Sequence, residues 1–457
     1  MRAAALATAL LLSGCGDGCG GAPPAPEVAA PVEAPAARPR KRSRAERRFD
    51  APTLVLVVLD TVRADHTSLC GYERPTTPYL ETLGKRAGPV TYTCAARTPG
   101  TWTVPSHASM FTGRTVAEHG SDAMDRPMAA DLPTLAEQLG ERGYQSLLVS
   151  ANPTLNQRSG LQRGFDEAVV AGNLTAWRGA DLDAVLRNAL ERLARDKPLF
   201  LVLNIFDAHD PFPEIPLDVA WLTPRDALVY DPHPTGREGT FQRYLRGELP
   251  RDEATAYEQA VKDGYDYGVA RADQNLRLAM TTLRATGWLE GPFRLVVTSD
   301  HGEFLGDKGM LRHGCFPWEP VTRVPLLVYE PGREQPLDLP DPISTTQVFH
   351  LLRDGALGAD VPVVSMSEAR VTDPRPCADA VALWTDEDRK LVARAGEVVA
   401  YDLDDDPGER RPSPAAGQGV EQLRALAEAH AAHRAEVRKG GGDARRREEM
   451  EALGYVE

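Results

Sequence analysis

The chain has 457 residues and a formal net charge of −14, with 42% hydrophobic and 26% charged residues. That length can bury one large core or two, the composition is that of an ordinary globular protein, and the negative balance argues against a nucleic-acid partner. Beyond the N-terminal segment, no run is long and apolar enough to span a bilayer.

The first residues read as a targeting signal. Arg2 gives a positive start, residues 3–12 are a short apolar run, and Leu12-Ser13-Gly14-Cys15 places small residues before a cysteine. This is a secretory pattern rather than a membrane helix. It resembles a bacterial lipobox, which implies cleavage before Cys15, lipidation of that residue and anchoring to a cell-envelope membrane on its periplasmic or surface side. A plain signal peptide with an incidental cysteine is the alternative. Residues 16–50 read as a tether whose Pro/Ala-rich stretches should be extended and semi-rigid. They end in a basic run from Arg38 to Arg48 that suits either an anionic membrane surface or a solvated linker. The expected division is therefore 1–15 signal, 16–50 tether, 51–370 catalytic domain and 371–457 C-terminal subdomain.

Strand and helix patterns then alternate, as in an α/β fold with a mostly parallel sheet and helices on both faces. Strands are expected at 53–60, 145–150, 199–206, 294–299 and 325–329. Helices are expected at 132–142, 182–194, 253–283 and 345–356, the third with Gly264 and Gly268 as weak points. After about residue 370 the pattern becomes an antiparallel meander at 380–384, 390–395 and 397–403. A helix at 419–437 follows. Cys70, Cys94, Cys315 and Cys377 lie in the body, and export makes disulfides permissible. Four cysteines allow three pairings, which the sequence leaves open.

Asp60 closes the first strand, and Asp300-His301 closes the strand at 294–299. Ligands of open α/β sheets sit beyond the carboxyl ends of strands. Two carboxylates and an imidazole delivered there suit a divalent metal. Thr103, in Thr103-Val104-Pro105-Ser106-His107, would be a nucleophile activated by that metal. It could equally cap a helix starting near Pro105, and the two roles can coexist. His209 follows a buried strand and suits general acid work, with a solvated loop histidine as the alternative. Asn152 is a weaker candidate, and Asp65 reads as a structural carboxylate.

Three segments resemble the sulfatases of the alkaline phosphatase superfamily. Residues 58–66 (VLDTVRADH) resemble the family's opening strand, residues 102–113 (WTVPSHASMFTG) its nucleophile loop, and Asp300-His301-Gly302-Glu303 its second metal motif. Residues 401–409 (YDLDDDPGE) and Leu453-Gly454-Tyr455 resemble its C-terminal region. The resemblance implies an alkaline-phosphatase-like fold, with a mostly parallel sheet sandwiched by helices and a small C-terminal antiparallel subdomain. It implies metal ligands at Asp60, Thr103, Asp300 and His301. It also implies that His209 and His313 contact the transferring group or protonate its leaving oxygen. Lys308 is a further cationic candidate, as is Arg312.

The departures from the family matter. Thr103 stands where the family has the Cys that becomes formylglycine, His107 where it has Arg, Thr61 where it has a second Asp, and His301 where many members carry Asn. These changes favour manganese or zinc over calcium for the single divalent ion. His107 could take part of the missing Arg's duty, though a neutral imidazole holds an anion less well. The implied activity is cleavage of an anionic phosphate or sulfate ester through a Thr nucleophile. The alternatives are a phospho-group transferase acting on envelope lipids or glycans, and a non-catalytic anion-binding lipoprotein.

Overall fold

The computed structural model describes residues 51–439 except 87, 175–176, 178–179, 217–218, 220, 223–238, 360, 368–376 and 418. The expected signal peptide, Cys15, the tether and the tail motif Leu453-Gly454-Tyr455 lie outside the described residues, as does much of the loop after His209.

The central sheet uses β1 Thr53–Leu59, β2 Val90–Arg97, β3 Gln145–Ser150, β4 Glu167–Val170, β5 Leu199–Ile205 and β6 Phe293–Thr298. After the short hairpin β7 Phe304–Leu305 and β8 Leu311–Arg312, it adds β9 Arg323–Tyr329 and β10 Ile343–Ser344. The order is β10-β2-β9-β6-β1-β5-β3-β4. Only β9 runs against its neighbours in this sheet. β1 lies in the middle and is buried at every position, as its unbroken apolar run demands.

Successive residues of each strand feed opposite faces. Val55, Val57 and Leu59 pack with Leu201, Leu203, Leu295 and Val297 under the helices Ala180–Glu191 and Arg251–Ala285. Leu54, Leu56 and Val58 pack with Phe200, Val202 and Val296 under the helices Thr103–Thr112, Leu135–Glu141 and Val348–Asp354. The sandwiched α/β architecture is thus the one expected.

Three local outcomes differ from the sequence reading. The helix expected at 132–142 starts at Leu135 rather than Leu132, because Thr134 and Glu137 form a reciprocal capping box. The long helix Arg251–Ala285 passes unbroken through Gly264 and Gly268. Those glycines permit close approach: a Cβ at Gly268 would lie 2.4 Å from the Asp207 carbonyl oxygen, and one at Gly264 2.8 Å from the Phe212 ring. Finally, the five-stranded antiparallel sheet begins with β11 Val363–Ser367, before residue 370. It continues through β12 Ala380–Trp384, β13 Arg389–Arg394, β14 Glu397–Asp402 and β15 Ser413–Pro414, with the helix Val420–Lys439 packed on β12 and β13.

Cys70 pairs with Cys94, and Cys315 with Cys377. The second bridge ties the His313 loop to the residues entering β12. Among the described residues, no helix is long and apolar enough to cross a membrane.

Ala normally stabilises a helix interior by about 1 kcal/mol relative to Gly. At position 268 the sign should reverse, because the new methyl meets backbone next to His209. Gly268→Ala should lower stability by about 1–3 kcal/mol, read by chemical denaturation; an unchanged or raised midpoint would contradict the close packing of helix and loop.

Candidate active site

Asp60 leaves β1 beside the carboxyl end of β5, its N–H bonded to the Ile205 carbonyl (2.9 Å). The chain then turns sharply. Thr61 has φ 61°, an unfavourable region for a β-branched residue, so the turn must be held from outside. Tyr265, on the long helix, does this: its hydroxyl donates to the Thr61 carbonyl (2.8 Å) and accepts from the Arg63 N–H (2.8 Å). Ser299 accepts from the Val62 N–H (2.9 Å) and donates to the His301 carbonyl (2.7 Å), locking the Asp60 turn to the Asp300 turn.

β1 and β6 are adjacent, so Asp60 and Asp300 arrive side by side and wholly buried. Asp60 Oδ2 accepts from the side-chain amides of Asn152 (2.8 Å) and Asn204 (3.0 Å). Asp300 Oδ1 accepts from the backbone N–H groups of Thr61 (3.2 Å) and His301 (3.0 Å). Thr61, at the family's second Asp position, therefore contributes its N–H instead of a carboxylate. Asp60 Oδ1 and Asp300 Oδ2 have no hydrogen-bond partner among the described residues.

His301 Nδ1 faces the Gly302 carbonyl (2.9 Å), which can only accept, so Nδ1 carries the proton and Nε2 the lone pair. Nε2 lies 3.4 Å from Asp300 Oδ2 and 3.4 Å from Thr103 Oγ1. One oxygen each from Asp60 and Asp300 and one His301 nitrogen lie within 4.8 Å of one another. Unpartnered carboxylate oxygens facing an imidazole lone pair fit a divalent cation, and this O/N donor set suits manganese or zinc. Burial, then the neighbouring Asp300 charge, pushes the Asp60 carboxyl up to about 7. Burial also pushes Asp300 up to about 7 against the hydrogen bonds it accepts.

Thr103 is the first residue of the fully buried helix Thr103–Thr112, and Trp102 takes the cap position. The helix thus starts at Thr103 rather than near Pro105, and no capping bond engages the Thr103 side chain. Its Oγ1 accepts from Asn152 Nδ2 (3.2 Å), the same amide that serves Asp60. The helix N-terminus aims its free N–H groups at this corner, where an anionic ester would gain from them.

Two further imidazoles complete the centre. The His313 ring lies 4.2 Å from the His301 ring and 5.2 Å from that of His209. His313 Nδ1 donates to both oxygens of the buried Glu303 carboxylate (3.2 Å each). His209 stacks on Phe206 (4.2 Å) and donates from Nδ1 to the Asp210 carbonyl (2.5 Å). Both bonds leave Nε2 as the atom able to hold or deliver a proton.

His107 sits one turn below Thr103. Its Nδ1 donates to the Thr103 carbonyl (2.9 Å) and lies 3.6 Å from Asp300 Oδ2. Burial pulls its pKa down to about 3, so it is neutral and cannot replace a guanidinium charge. Lys308 does not join the centre. Its ammonium donates to the carbonyls of Gly408 (2.9 Å) and Glu409 (2.6 Å) and lies over the Trp318 ring. Arg312 pairs with Asp210 (3.0 Å), and Asp65 pairs with Arg63 (2.7 Å).

Asn204, Glu303 and Tyr265 escaped the sequence reading as individual contributors. Asn204 had a signal: it is the lone polar residue in the apolar strand LFLVLNI. Tyr265 had none, because its partner is a backbone turn 204 positions away.

The carboxyl shifts carry a stability consequence. Both folded-state pKa values, about 7, lie above the ordinary 3.8. Between those limits the folded protein holds more protons than the unfolded chain, so metal-free stability falls as pH rises through that window. Asp300→Asn should therefore raise metal-free stability at pH 7 by roughly a few kcal/mol, with the gain fading toward pH 4, while binding of a divalent ion is lost. Melting curves across pH in chelator check this; a destabilised variant at pH 7 would contradict a buried, raised Asp300 carboxyl.

The comparisons with known proteins bear on this centre. A sulfatase family model matches residues 52–354. No curated protein sequence matches. Among solved structures, the phosphonate monoester hydrolase of Agrobacterium radiobacter aligns with a TM-score of 0.60 at 18% identity, covering 84% of this chain and 96% of that one. The phosphonate monoester hydrolase from Silicibacter pomeroyi gives a TM-score of 0.59 at 18% identity over 84% and 96% of the two chains. A protein solved in complex with its substrate D-glucosamine-2-N,6-O-disulfate gives 0.63 at 15% identity over 84% and 98%. At these identities the structural likeness speaks for the fold, and the family match, which takes in most of the chain, speaks for the lineage: the chain belongs to the sulfatase family.

Proposed function

We propose that this chain is an ester hydrolase that cleaves an anionic phospho-ester, with Thr103 as its nucleophile and Asp60, Asp300 and His301 holding a divalent ion. The observation that carries the reading is the position of Thr103 Oγ1. It lies between Asn152 Nδ2 and His301 Nε2, at a buried helix N-terminus. A divalent ion bound there supplies a Lewis acid that lowers the pKa of the Thr103 hydroxyl and offsets charge on the transferring group.

The Thr103 hydroxyl releases its proton to solvent, its oxygen attacks phosphorus in line, and the bond from phosphorus to the leaving oxygen breaks. His209 or His313 gives that oxygen its proton from Nε2. Glu303 orients His313 and stabilises its charged form. Water then gives a proton to the imidazole that protonated the leaving oxygen and attacks the phosphoryl-Thr103 ester; the bond from phosphorus to the Thr103 oxygen breaks, and that oxygen takes a proton from solvent to regenerate the hydroxyl. Asn152 donates to Thr103 Oγ1 and so helps fix the direction of attack. His107 positions the Thr103 backbone and bears no charge.

The chemistry favours phosphorus over sulfur. Thr103 cannot become formylglycine, so a sulfated residue would lack the collapse through the aldehyde that empties the usual sulfatase site. The phosphonate monoester hydrolases among the structural neighbours are consistent with a phosphorus ester. The sulfated-sugar complex keeps a sulfate ester as the competing substrate. Lipidation at Cys15 would place the enzyme on the exported face of a bacterial envelope membrane, where membrane-borne esters are within reach.

Metal-reconstituted protein should turn over nitrophenyl phosphate mono- or diesters. Thr103→Ala should lose at least about a thousandfold of that rate. Turnover of nitrophenyl sulfate with little phospho-ester activity, or phospho-ester activity retained by Thr103→Ala, would contradict the reading.

A further inference from the structure

The motif at residues 401–409 has no place in the chemistry above, yet its last residue reaches the segment that carries the site. Glu409 is buried and has φ 51°, a backbone conformation that few glutamates adopt. Its Oε2 accepts from the Glu319 N–H (2.9 Å), and its Oε1 accepts from Lys390 Nζ (2.6 Å). Lys390, wholly buried on β13, also donates to the Pro317 carbonyl (2.5 Å) and lies 3.4 Å from Glu319 Oε1. The Glu319 carboxylate is closed in by Arg97 (2.9 Å) and the Trp384 indole N–H (3.0 Å). Two carboxylates and two cations thus balance in a nearly water-free pocket. Breaking one member leaves a buried charge uncompensated.

The turn held in this way is the one against which the ligand loop is built. Immediately after His301, the Gly302 N–H donates to the Val321 carbonyl (2.7 Å) and the Glu303 N–H to the Pro320 carbonyl (3.0 Å). The fit has no slack: a Cβ at Gly302 would lie 2.1 Å from the Pro320 oxygen. From the other side of the same segment, Lys308 grips the carbonyls of Gly408 and Glu409. The Gly408–Glu409 corner therefore touches both flanks of the chain that runs from His301 to Thr322.

We propose that the Gly408–Glu409 corner is a brace that fixes the position of the His301 loop, which makes Glu409 and Lys390 positioning residues for the ion-binding group. The proposal rests on the reading of Asp60, Asp300 and His301 as that group. The C-terminal sheet then acts on the site through backbone hydrogen bonds, without touching substrate. Partners that orient metal ligands from behind typically contribute tenfold to a hundredfold in metal affinity.

The test is calorimetric titration of the full metal-free chain with Mn2+ and with Zn2+. It compares wild type, Asp300→Asn, Glu409→Gln and the paired Lys390→Met/Glu409→Leu, with circular dichroism and melting as controls. The paired variant removes both charges together and keeps the fold if Glu409→Gln does not. The expected result is a tenfold to hundredfold loss of ion affinity in the Glu409 variants with secondary structure retained. Folded Glu409 variants that bind as wild type, even with a lowered melting point, would overturn the brace and leave the ion-binding reading standing. An Asp300→Asn variant that binds as wild type, or a wild type that binds neither ion, would overturn the ion-binding reading and the brace with it.

Discussion

Two carboxylates that repel each other are held side by side at the ends of neighbouring parallel strands, and the rest of the site is arranged around that repulsion. β1 and β6 pair in register, so the residues that follow them, Asp60 and Asp300, cannot avoid one another. Neither is solvated. Each shares one oxygen with neutral donors: two asparagine amides for Asp60, two backbone N–H groups for Asp300. Burial raises both carboxyls, the Asp300 charge adds to the rise at Asp60, and the neutral donors only partly offset it. Each keeps one oxygen with no hydrogen bond among the described residues, and that of Asp300 lies 3.4 Å from Nε2 of His301.

The surrounding structure keeps that arrangement from relaxing. The long helix presents Tyr265 to the strained Thr61 turn, and its Gly268 lets it press against the loop that carries His209. The Thr103 helix brings a hydroxyl and its N-terminus to the same corner. Asn152 bonds both Asp60 and Thr103, so one side chain couples the proposed nucleophile to the proposed ligand. His301, His313 and His209 form a row of rings that leads away from Thr103, with Glu303 behind the middle one. A leaving group departing along that row would pass two imidazoles able to donate a proton.

Much of this was legible in the sequence. Asp60 and Asp300-His301 could be placed because strand-end residues in an open α/β sheet share one edge, and the apolar runs before them were unambiguous. Where the reading fell short, the cause was long-range geometry. Lys308 lies eight positions from Asp300, but its backbone, with φ 54°, directs the ammonium to the carbonyls of Gly408 and Glu409. Gly264 and Gly268 read as helix weak points because their partners, Phe212 and the Asp207 carbonyl, lie on another element. β2, inside the short edge strand β10, and the edge strand β4 are only partly buried, so they lack the long apolar run that betrayed β1. Cysteine spacing could not choose among pairings that depend on how β2 and β12 fold back.

The central claim is that Thr103 becomes covalently attached to the group it transfers. Acid-quenching the metal-loaded enzyme during turnover of a slow phospho-ester, then mapping its peptides by mass spectrometry, tests this directly. The account predicts one phosphoryl group on the peptide spanning the Thr103 helix, at Thr103 itself, absent from Thr103→Ala and from unreacted enzyme. Turnover with no modified Thr103 peptide under conditions that trap the slow step, or with the group carried by His209 or His313, would contradict it.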